Sequence, residues 1–223
     1  MFPRLLPALA TCALLGTVAS AQAPGLVGRM DGDTYVSATG EFRFPSPVLP
    51  ELGGQITDTE NVVTFSDSFN VHLSIACFPQ EAAQKWELET RGRRDYLLYF
   101  FRNFLLADFS RRFPGSRIES ARYVPELMDG ALIAYALLPG GSFFEGKNSV
   151  LDAVPADPVT AKRGTLLFVR HGYVYVVSTE LAERATQRRT YHQTVEQENT
   201  LLADRLTALA GRFLFPAPKT RSP

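Results

Sequence analysis

Two consecutive segments near the C-terminus are apolar on both faces and are separated by a tight turn. They cover residues 165–169 and 173–179, and His171 and Gly172 lie in the turn between them. Glycine tolerates the positive φ angles that a two-residue hairpin turn requires. Strands that are apolar on both faces are typical of a sheet covered on both sides. This hairpin therefore predicts a sheet that lies between two other layers of the fold.

The rest of the chain predicts further strands and two long helices. Residues 70–78 alternate, so that Leu73 and Ile75 face one way and His72 and Ser74 the other. Helices are predicted over 95–113 and 195–213, the second with leucines at helical spacing. The other predicted strands cover 34–37, 41–44, 55–58, 62–66, 117–124 and 131–138. This order indicates an α+β fold with a mostly antiparallel sheet, arranged as an α/β/α sandwich.

The first 23 residues have the pattern of a secretory signal peptide. Arg4 precedes a short apolar core, and small residues around Ala21 and Ala23 form cleavage sites. The apolar core is too short to span a bilayer, which takes about 20 residues. We therefore expect a periplasmic or secreted protein. Its regions are a signal peptide over 1–23, a flexible segment over 24–33, a single α+β domain over 34–215 and a loose tail over 216–223.

Composition narrows the classes of partner. The chain has 23 basic and 23 acidic residues, and a nucleic-acid-binding protein would need a basic excess. No segment after the leader is long and apolar enough to predict a transmembrane helix. Arginine greatly outnumbers lysine, as is typical of bacteria with GC-rich genomes. Beyond the leader the chain has one cysteine, Cys77, so an internal disulfide is excluded.

Residues 37–45 read Ser-Ala-Thr-Gly-Glu-Phe-Arg-Phe-Pro, and this segment resembles the start of PsbP/Mog1-type domains. The order of hairpins, helix, further strands and last helix over 34–213 resembles the same family. It also resembles secreted bacterial proteins of unknown function. The resemblance implies a fold that serves as an adaptor or accessory subunit rather than as an enzyme. The resemblance identifies no functional residue, because we recognise no binding motif of the family in this sequence.

Motifs for catalysis are missing from the sequence. The glycines near Ser142 do not form the Gly-x-Ser-x-Gly elbow of serine hydrolases, and Lys147 lacks the spacing of a phosphate-binding loop. The three histidines, His72, His171 and His192, do not have zinc-site spacing. We therefore expect neither a metal nor a cofactor, and the sequence favours a protein that is not an enzyme.

The long connection over residues 139–162 is the main candidate for recognition. Connections of this length in compact domains are often lids or binding loops, or else disordered insertions, and both interpretations stay open. A partner could bind the aromatic and charged residues near the start of this connection. Residues of the hairpin turn are further candidates for such contacts. The candidate binding residues are Phe143, Phe144, Glu145, Arg170 and His171.

The helix predicted over 95–113 is apolar around nearly its whole circumference. A helix of this kind is normally buried. The alternative is that Tyr99, Phe100 or Leu106 contributes to an exposed patch for a partner or a membrane surface.

These patterns lead us to expect a secreted, soluble accessory or binding protein that acts by surface recognition. Its partner is an unidentified protein or small molecule. One alternative is a small enzyme or ligand carrier with a loop-covered pocket, in which His72, Glu145, Arg170 and His171 converge. Another is a peripheral membrane protein, which would need an apolar patch flanked by the basic residues of 91–94.

Overall fold

The structure is a computed structural model, and it describes residues 25–144, 159–187 and 189–217. The strands form a three-stranded sheet, β1-β2-β3, and a seven-stranded sheet in the order β4-β5-β6-β10-β9-β8-β7. All neighbouring strands are antiparallel. The strands are β1 Arg29–Asp31, β2 Thr34–Val36, β3 Arg43–Pro45, β4 Gln55–Asp58, β5 Val62–Ser66, β6 His72–Pro79, β7 Arg117–Val124, β8 Ala131–Pro139, β9 Thr160–Arg170 and β10 Tyr173–Glu180.

The helices cover both faces of the large sheet. They are α1 Ala82–Arg91, α2 Arg93–Phe100, α3 Leu106–Arg112, α4 Ala182–Thr186 and α5 Val195–Ala210, with a 3-10 helix at Pro50–Leu52 and a π-helical turn at Phe101–Leu105. Within the described ranges, none of the helices has the length and apolar character needed to cross a membrane.

Two cores lie on opposite faces of the seven-stranded sheet. One contains Leu73 and Ile75 together with Leu202 and Leu206 of α5. The other contains Ala76 and, across from it, buried residues of α2 and α3. The predicted alternation along β6 is confirmed, and so is the α+β fold with helices packed on a large antiparallel sheet.

Helix α5 approaches the sheet closely where β9 has a glycine. A Cβ atom placed on Gly164 would lie 3.1 Å from Cδ1 of Leu206 and 3.2 Å from Cβ of Leu202. The missing side chain lets the leucine stripe of α5 sit directly on the strand, and this contact fixes one outer layer over β9.

The segment predicted to be flexible, 24–33, contains strand β1, so that prediction was wrong for Arg29–Asp31. The physical reason is a carboxylate clasp. Asp58 accepts hydrogen bonds from the backbone N–H groups of Val27 and Gly28, at 2.8 and 2.7 Å, and from the hydroxyl of Tyr35 at 2.8 Å. Three donors on one carboxylate hold the segment against β4.

The helix predicted over 95–113 is divided into α2, a π-helical turn and α3. Most of its apolar surface is buried, including Phe100, which is 4% exposed. Tyr99 and Leu106 are half-buried, so the predicted exposed patch does not form as expected. The exposed aromatic residue is Phe104, in the π turn.

The connection predicted over 139–162 is shorter than expected. Pro139 ends β8, and β9 begins at Thr160, because Pro139 and Thr160 pair across the two strands. Residues 145–158, the leader over 1–23 and most of the predicted tail lie outside the described residues.

Candidate binding site

The predicted binding residues lie at two separate ends of the sheet. Phe143 is near Glu180, since its backbone N–H lies 3.4 Å from Oε2 of Glu180. Arg170 ends β9 and His171 follows in the turn. Glu180 pairs with Arg163, which is seven residues before Arg170, so the two groups are about 23 Å apart along the strand. Glu145 lies outside the described residues.

Arg170 and His171 shape the hairpin turn. Both residues of the turn have positive φ, 49° at His171 and 81° at Gly172, as predicted for a two-residue hairpin. The Arg170 guanidinium lies 4.3 Å from the ring centroid of Phe215, which ties the C-terminal segment to this end of the sheet.

The residue set of the enzyme alternative does not converge. His72 lies beside Phe143 at one end of the sheet, whereas Arg170 and His171 lie at the other. The described residues therefore do not form the pocket that this alternative required.

Phe144 is buried in a small apolar cluster that is separate from the two main cores. Its side chain is buried against Ala182 and Ala185 of α4. Burial removes Phe144 from any surface that a rigid partner could touch, so its predicted direct contact with a partner does not fit this structure. What it provides is an anchor for the neighbouring Phe143.

Phe143 has a different environment, in which the ring is held but remains 49% exposed. It stacks on the imidazole of His72 with 3.7 Å between the ring centroids and an interplanar angle of 15°. The guanidinium carbon of Arg163 lies 4.7 Å from the Phe143 centroid, a cation–π distance. An exposed aromatic ring held in one orientation is a typical anchor for a partner.

A buried ion pair lies beneath the Phe143 ring. Nη2 of Arg163 is 3.4 Å from Oε2 of Glu180, and both side chains are buried. Burial raises the pKa of Glu180, although the Ser142 side chain, the Arg163 charge and the Phe143 N–H oppose the rise. Burial likewise lowers the pKa of Arg163, against the effect of Glu180. Oε2 of Glu180 thus faces both the Arg163 guanidinium and the backbone N–H of Phe143.

The loop between β5 and β6 presents a second exposed aromatic residue, Phe69, which is 59% exposed. Oδ1 of Asp67 accepts hydrogen bonds from the backbone N–H groups of Phe69, Asn70 and Val71, at 2.9, 3.0 and 2.9 Å. One buried carboxylate oxygen thus fixes the loop, and Phe69 is displayed on a preorganised backbone.

The 3-10 helix brings two further apolar side chains to the same place. Leu49 and Leu52 are 57% and 44% exposed. A Cβ atom on Gly53, which has φ 72°, would lie 2.8 Å from the hydroxyl of Ser68. This segment therefore touches the loop that carries Phe69.

Strand register places these side chains along one end of the sheet. Gln55 pairs with Ser66, and Ser66 pairs with His72. The next strand continues the row, because Leu73 pairs with Thr179, and Glu180 in turn pairs with Arg163. We call the surface formed by Leu49, Leu52, Phe69 and Phe143 the apolar end.

Sequence reasoning found Phe143 but missed the rest of the apolar end. Leu52 and Phe69 were single apolar residues in turns, and only the pairing of β4, β5 and β6 brings them together. The ion pair between Arg163 and Glu180 could have been found in the sequence from the position of the hairpin turn. Counting outward from the His171–Gly172 turn, Arg163 and Glu180 form the eighth pair of the hairpin.

A second buried charge network, also missed, lies on the other face of the sheet. Nζ of Lys162, which is fully buried, is 3.0 Å from Oε2 of Glu198 and also contacts the Glu119 carboxylate. Arg184 and Tyr191 bond Oε1 of Glu198 at 3.0 and 2.8 Å. Burial, and then the Glu198 carboxylate, raise the pKa of Tyr191. This network fastens α5 and the segment before it to the sheet.

The basic residues of 91–94 lie far from the apolar end. Nη1 of Arg93 donates to the backbone oxygen of Val169, 3.2 Å away, next to the hairpin turn. The helices nearby leave a groove of about 570 Å³, lined by Phe78, Phe100, Phe104 and polar residues. The arrangement required for the membrane alternative, an apolar patch flanked by these arginines, does not occur at the apolar end.

Comparison with known proteins gives a likeness in fold only. No protein-family model matches the chain, and no curated protein matches it in sequence. Among solved structures, cyanobacterial PsbP (CyanoP) from Synechocystis sp. PCC 6803 is similar, with 15% identity and a TM-score of 0.50 over 93% of this chain and 99% of that one. The Ran-binding protein Mog1p of Saccharomyces cerevisiae matches with 10% identity and a TM-score of 0.42, over 79% of this chain and 91% of that one. The chain therefore has the PsbP/Mog1-like α+β fold that residues 37–45 and the order of elements predicted.

Proposed function

We propose that this protein is a binding protein that recognises another protein through the apolar end. The observation that carries the proposal is the arrangement of two exposed aromatic residues, Phe69 on a fixed backbone and Phe143 with its ring held by neighbouring side chains. Phe69 sits on a backbone fixed by the Asp67 carboxylate, and Phe143 rests on His72 and Arg163. Exposed rings that lose little freedom on binding give affinity at low entropic cost.

Charge favours a protein over a lipid surface as the partner. The three segments that form the apolar end, 49–54, 67–71 and 142–144, contain no lysine or arginine, and their charged residues are Glu51 and Asp67. Peripheral membrane binding usually combines apolar side chains with basic residues that attract anionic lipids. Apolar side chains without basic residues beside them instead suit an apolar surface of another protein.

The predicted leader over 1–23 supports a location outside the cytoplasm for this activity. In this proposal the protein is an accessory factor of the periplasm or of the secreted fraction. Its partner is then a protein of the same compartment.

Site-specific photocrosslinking in cells tests the proposal. A photoreactive phenylalanine analogue replaces Phe69 in one strain and Phe143 in another. In a control strain it replaces Trp86, an aromatic residue that is 61% exposed on α1 and distant from the apolar end. We expect both apolar-end positions to give an adduct with the same protein, identified by mass spectrometry, and the Trp86 position to give none.

A binding measurement with the identified partner completes the test. Phe69→Ala should weaken the purified complex at least tenfold, as expected for an aromatic anchor, and Trp86→Ala should leave its affinity unchanged. Adducts from the Trp86 position alone, or a complex indifferent to Phe69→Ala, would refute recognition through the apolar end.

A further inference from the structure

We propose that a pocket between the β7 edge of the sheet and helix α5 binds a free α-amino acid, whose carboxylate pairs with Arg122 and whose ammonium group pairs with Asp204. The pocket has a volume of about 360 Å³ and is lined by residues of β7, β8 and α5. Pockets for small ligands usually measure about 300–1,000 Å³, so a free amino acid fits this one. The pocket shares no residue with the apolar end, and the inference does not depend on the function proposed for that surface.

Opposite charges line the pocket from two different elements. Arg122 belongs to β7 and Asp204 to α5, and both residues are exposed. Within the described part of the chain, neither side chain forms an ion pair or a hydrogen bond with another residue. A guanidinium binds a carboxylate through two parallel hydrogen bonds, and a carboxylate accepts hydrogen bonds from an ammonium group. A ligand that carries both charges therefore satisfies both residues at once.

Strand register and helix spacing direct the two charges toward each other. Arg122 pairs with Ile133 across β7 and β8, and Ile133 belongs to the core beneath α5. Directly opposed residues of paired strands point to the same face, so Arg122 also points toward α5. On the helix, Asp204 lies one turn after Thr200, and residues four apart share one side of a helix. The arginine and the aspartate thus stand on opposite walls of the pocket.

The hydroxyl of Tyr135 lies within the influence of both charges. It donates a hydrogen bond to the backbone oxygen of Asn199, 2.9 Å away, which holds the tyrosine against α5. Burial raises the pKa of this hydroxyl, the Arg122 charge opposes the rise, and the Asp204 charge adds to it. Because both charges act on one hydroxyl, they suit a ligand in which a single carbon separates the ammonium group from the carboxylate.

The rest of the lining suits the polar end of an amino acid and leaves room for its side chain. Within the described residues, the side chains of Ser120, Asn199 and Thr200 make no hydrogen bond of their own. Hydroxyl and amide groups both donate and accept hydrogen bonds, so they complement a ligand of either charge. The remaining lining residues, Ala121 and Ala203, are small. Convergent polar groups without partners in the free protein are typical of a ligand site.

Ligand-observed NMR with the purified protein tests the pocket. Each standard L-amino acid is offered separately, and we expect at least one of them to bind. Its N-acetyl derivative lacks the ammonium charge and its amide derivative lacks the carboxylate charge, so each derivative should bind at least tenfold more weakly. Absence of binding by every standard amino acid, or equal binding of the three forms, would overturn the proposal.

Variants at the two exposed positions assign each charge to its residue. Asp204→Asn should weaken binding of the amino acid at least tenfold but leave the weaker binding of its N-acetyl derivative unchanged, because that derivative has no ammonium group. Arg122→Gln should weaken binding of the amino acid to the same extent and leave that of the amide derivative unchanged. Circular dichroism verifies that both variants are folded.

Arg102→Gln is the matched control for these variants. It removes an exposed arginine from the π-helical turn, which packs on the other face of the sheet, and it should change no affinity. An amino acid that binds Asp204→Asn and Arg122→Gln as tightly as it binds Arg102→Gln would show that the pocket is not its site.

Discussion

Lys162 and Arg163 are neighbours in β9, yet they form ion pairs on opposite faces of the same sheet. Lys162 reaches Glu198 and Glu119 on the α5 face, and Arg163 reaches Glu180 on the face of α2 and α3. Successive residues of a strand point to opposite sides, so a single dipeptide introduces a buried charge into both cores. Each charge depends on carboxylates supplied by other elements.

Removal of the Glu198 carboxylate should strongly destabilise the protein. Glu198→Ala leaves Lys162 buried with one remaining carboxylate contact, and it removes the acceptor of Arg184 and Tyr191. Breaking a buried pair in this way costs about 3–5 kcal/mol of unfolding free energy. Urea unfolding followed by circular dichroism measures the loss.

Glu183→Ala is the matched control for that variant. Glu183 pairs with Arg205, and both side chains are more than a quarter exposed. Loss of such a solvated pair should cost less than about 1 kcal/mol. Equal losses in Glu183→Ala and Glu198→Ala would contradict the interpretation that burial sets the cost.

The protein should lose stability in alkaline solution. Burial raises the pKa of the Cys77 thiol from 9.0 to about 12, and burial also raises the pKa of Tyr35 and Tyr175. The native state therefore holds protons that the unfolded chain releases, so the unfolding free energy falls as pH rises above about 9. Urea midpoints between pH 7 and 11 should decline, and a flat profile would argue against these buried acids.

The Cys77 thiol should resist alkylation until the protein unfolds. A pKa near 12 makes the reactive thiolate roughly a thousand-fold rarer than in an unperturbed thiol. Iodoacetamide labelling at pH 8, followed by mass spectrometry, should be slow in buffer and fast in urea. Comparable rates in the two conditions would show that Cys77 is accessible in the native state.

Asp67→Ala should release the loop that carries Phe69. The variant removes the acceptor of three backbone N–H groups, so the amides of Phe69, Asn70 and Val71 should lose protection from hydrogen exchange. Asn70→Ala changes an exposed side chain of the same loop and should leave protection unchanged. Retained protection in Asp67→Ala would mean that other contacts hold Phe69.

Gly28→Ala should disrupt the clasp that holds β1. A Cβ atom at Gly28 would lie 2.5 Å from the Tyr35 hydroxyl and 2.6 Å from the backbone oxygen of Val36. The segment must then move off Asp58, at a cost of about 1–3 kcal/mol. Thermal unfolding should show a lower midpoint, whereas Arg29→Ala, at an exposed position of β1, should show little change.

Much of the fold could be predicted because its strands and α5 follow simple apolar periods. The hairpin of β4 and β5 was predicted with the bounds that the structure shows, and the start of α5 at Val195 was also correct. The division of the long helix at Phe101 could not be predicted, because a π-helical turn has no pattern of its own in an evenly apolar segment.

The candidate site was predicted only in part, because its residues are brought together by the pairing of distant strands and not by local sequence. Phe143 was singled out, but Phe144 beside it is buried, since adjacent residues in a turn need not share an environment. Lys162 was placed in the polar connection over 139–162, and Arg163 was not singled out, because charged residues rarely lie inside a central strand. Their carboxylate partners are distant in sequence.

The contact between Lys162 and Glu119 has a consequence for how copies of the chain meet. Glu119 lies where the pairing of β7 with β8 shifts register between Ile118 and Ser120, and β7 is an edge of the seven-stranded sheet. A bulge with an inward charge makes an edge strand a poor template for edge-to-edge aggregation. The register shift and the Glu119 carboxylate that contacts Lys162 therefore meet at one point of this border, where pairing between the edges of two copies is disfavoured.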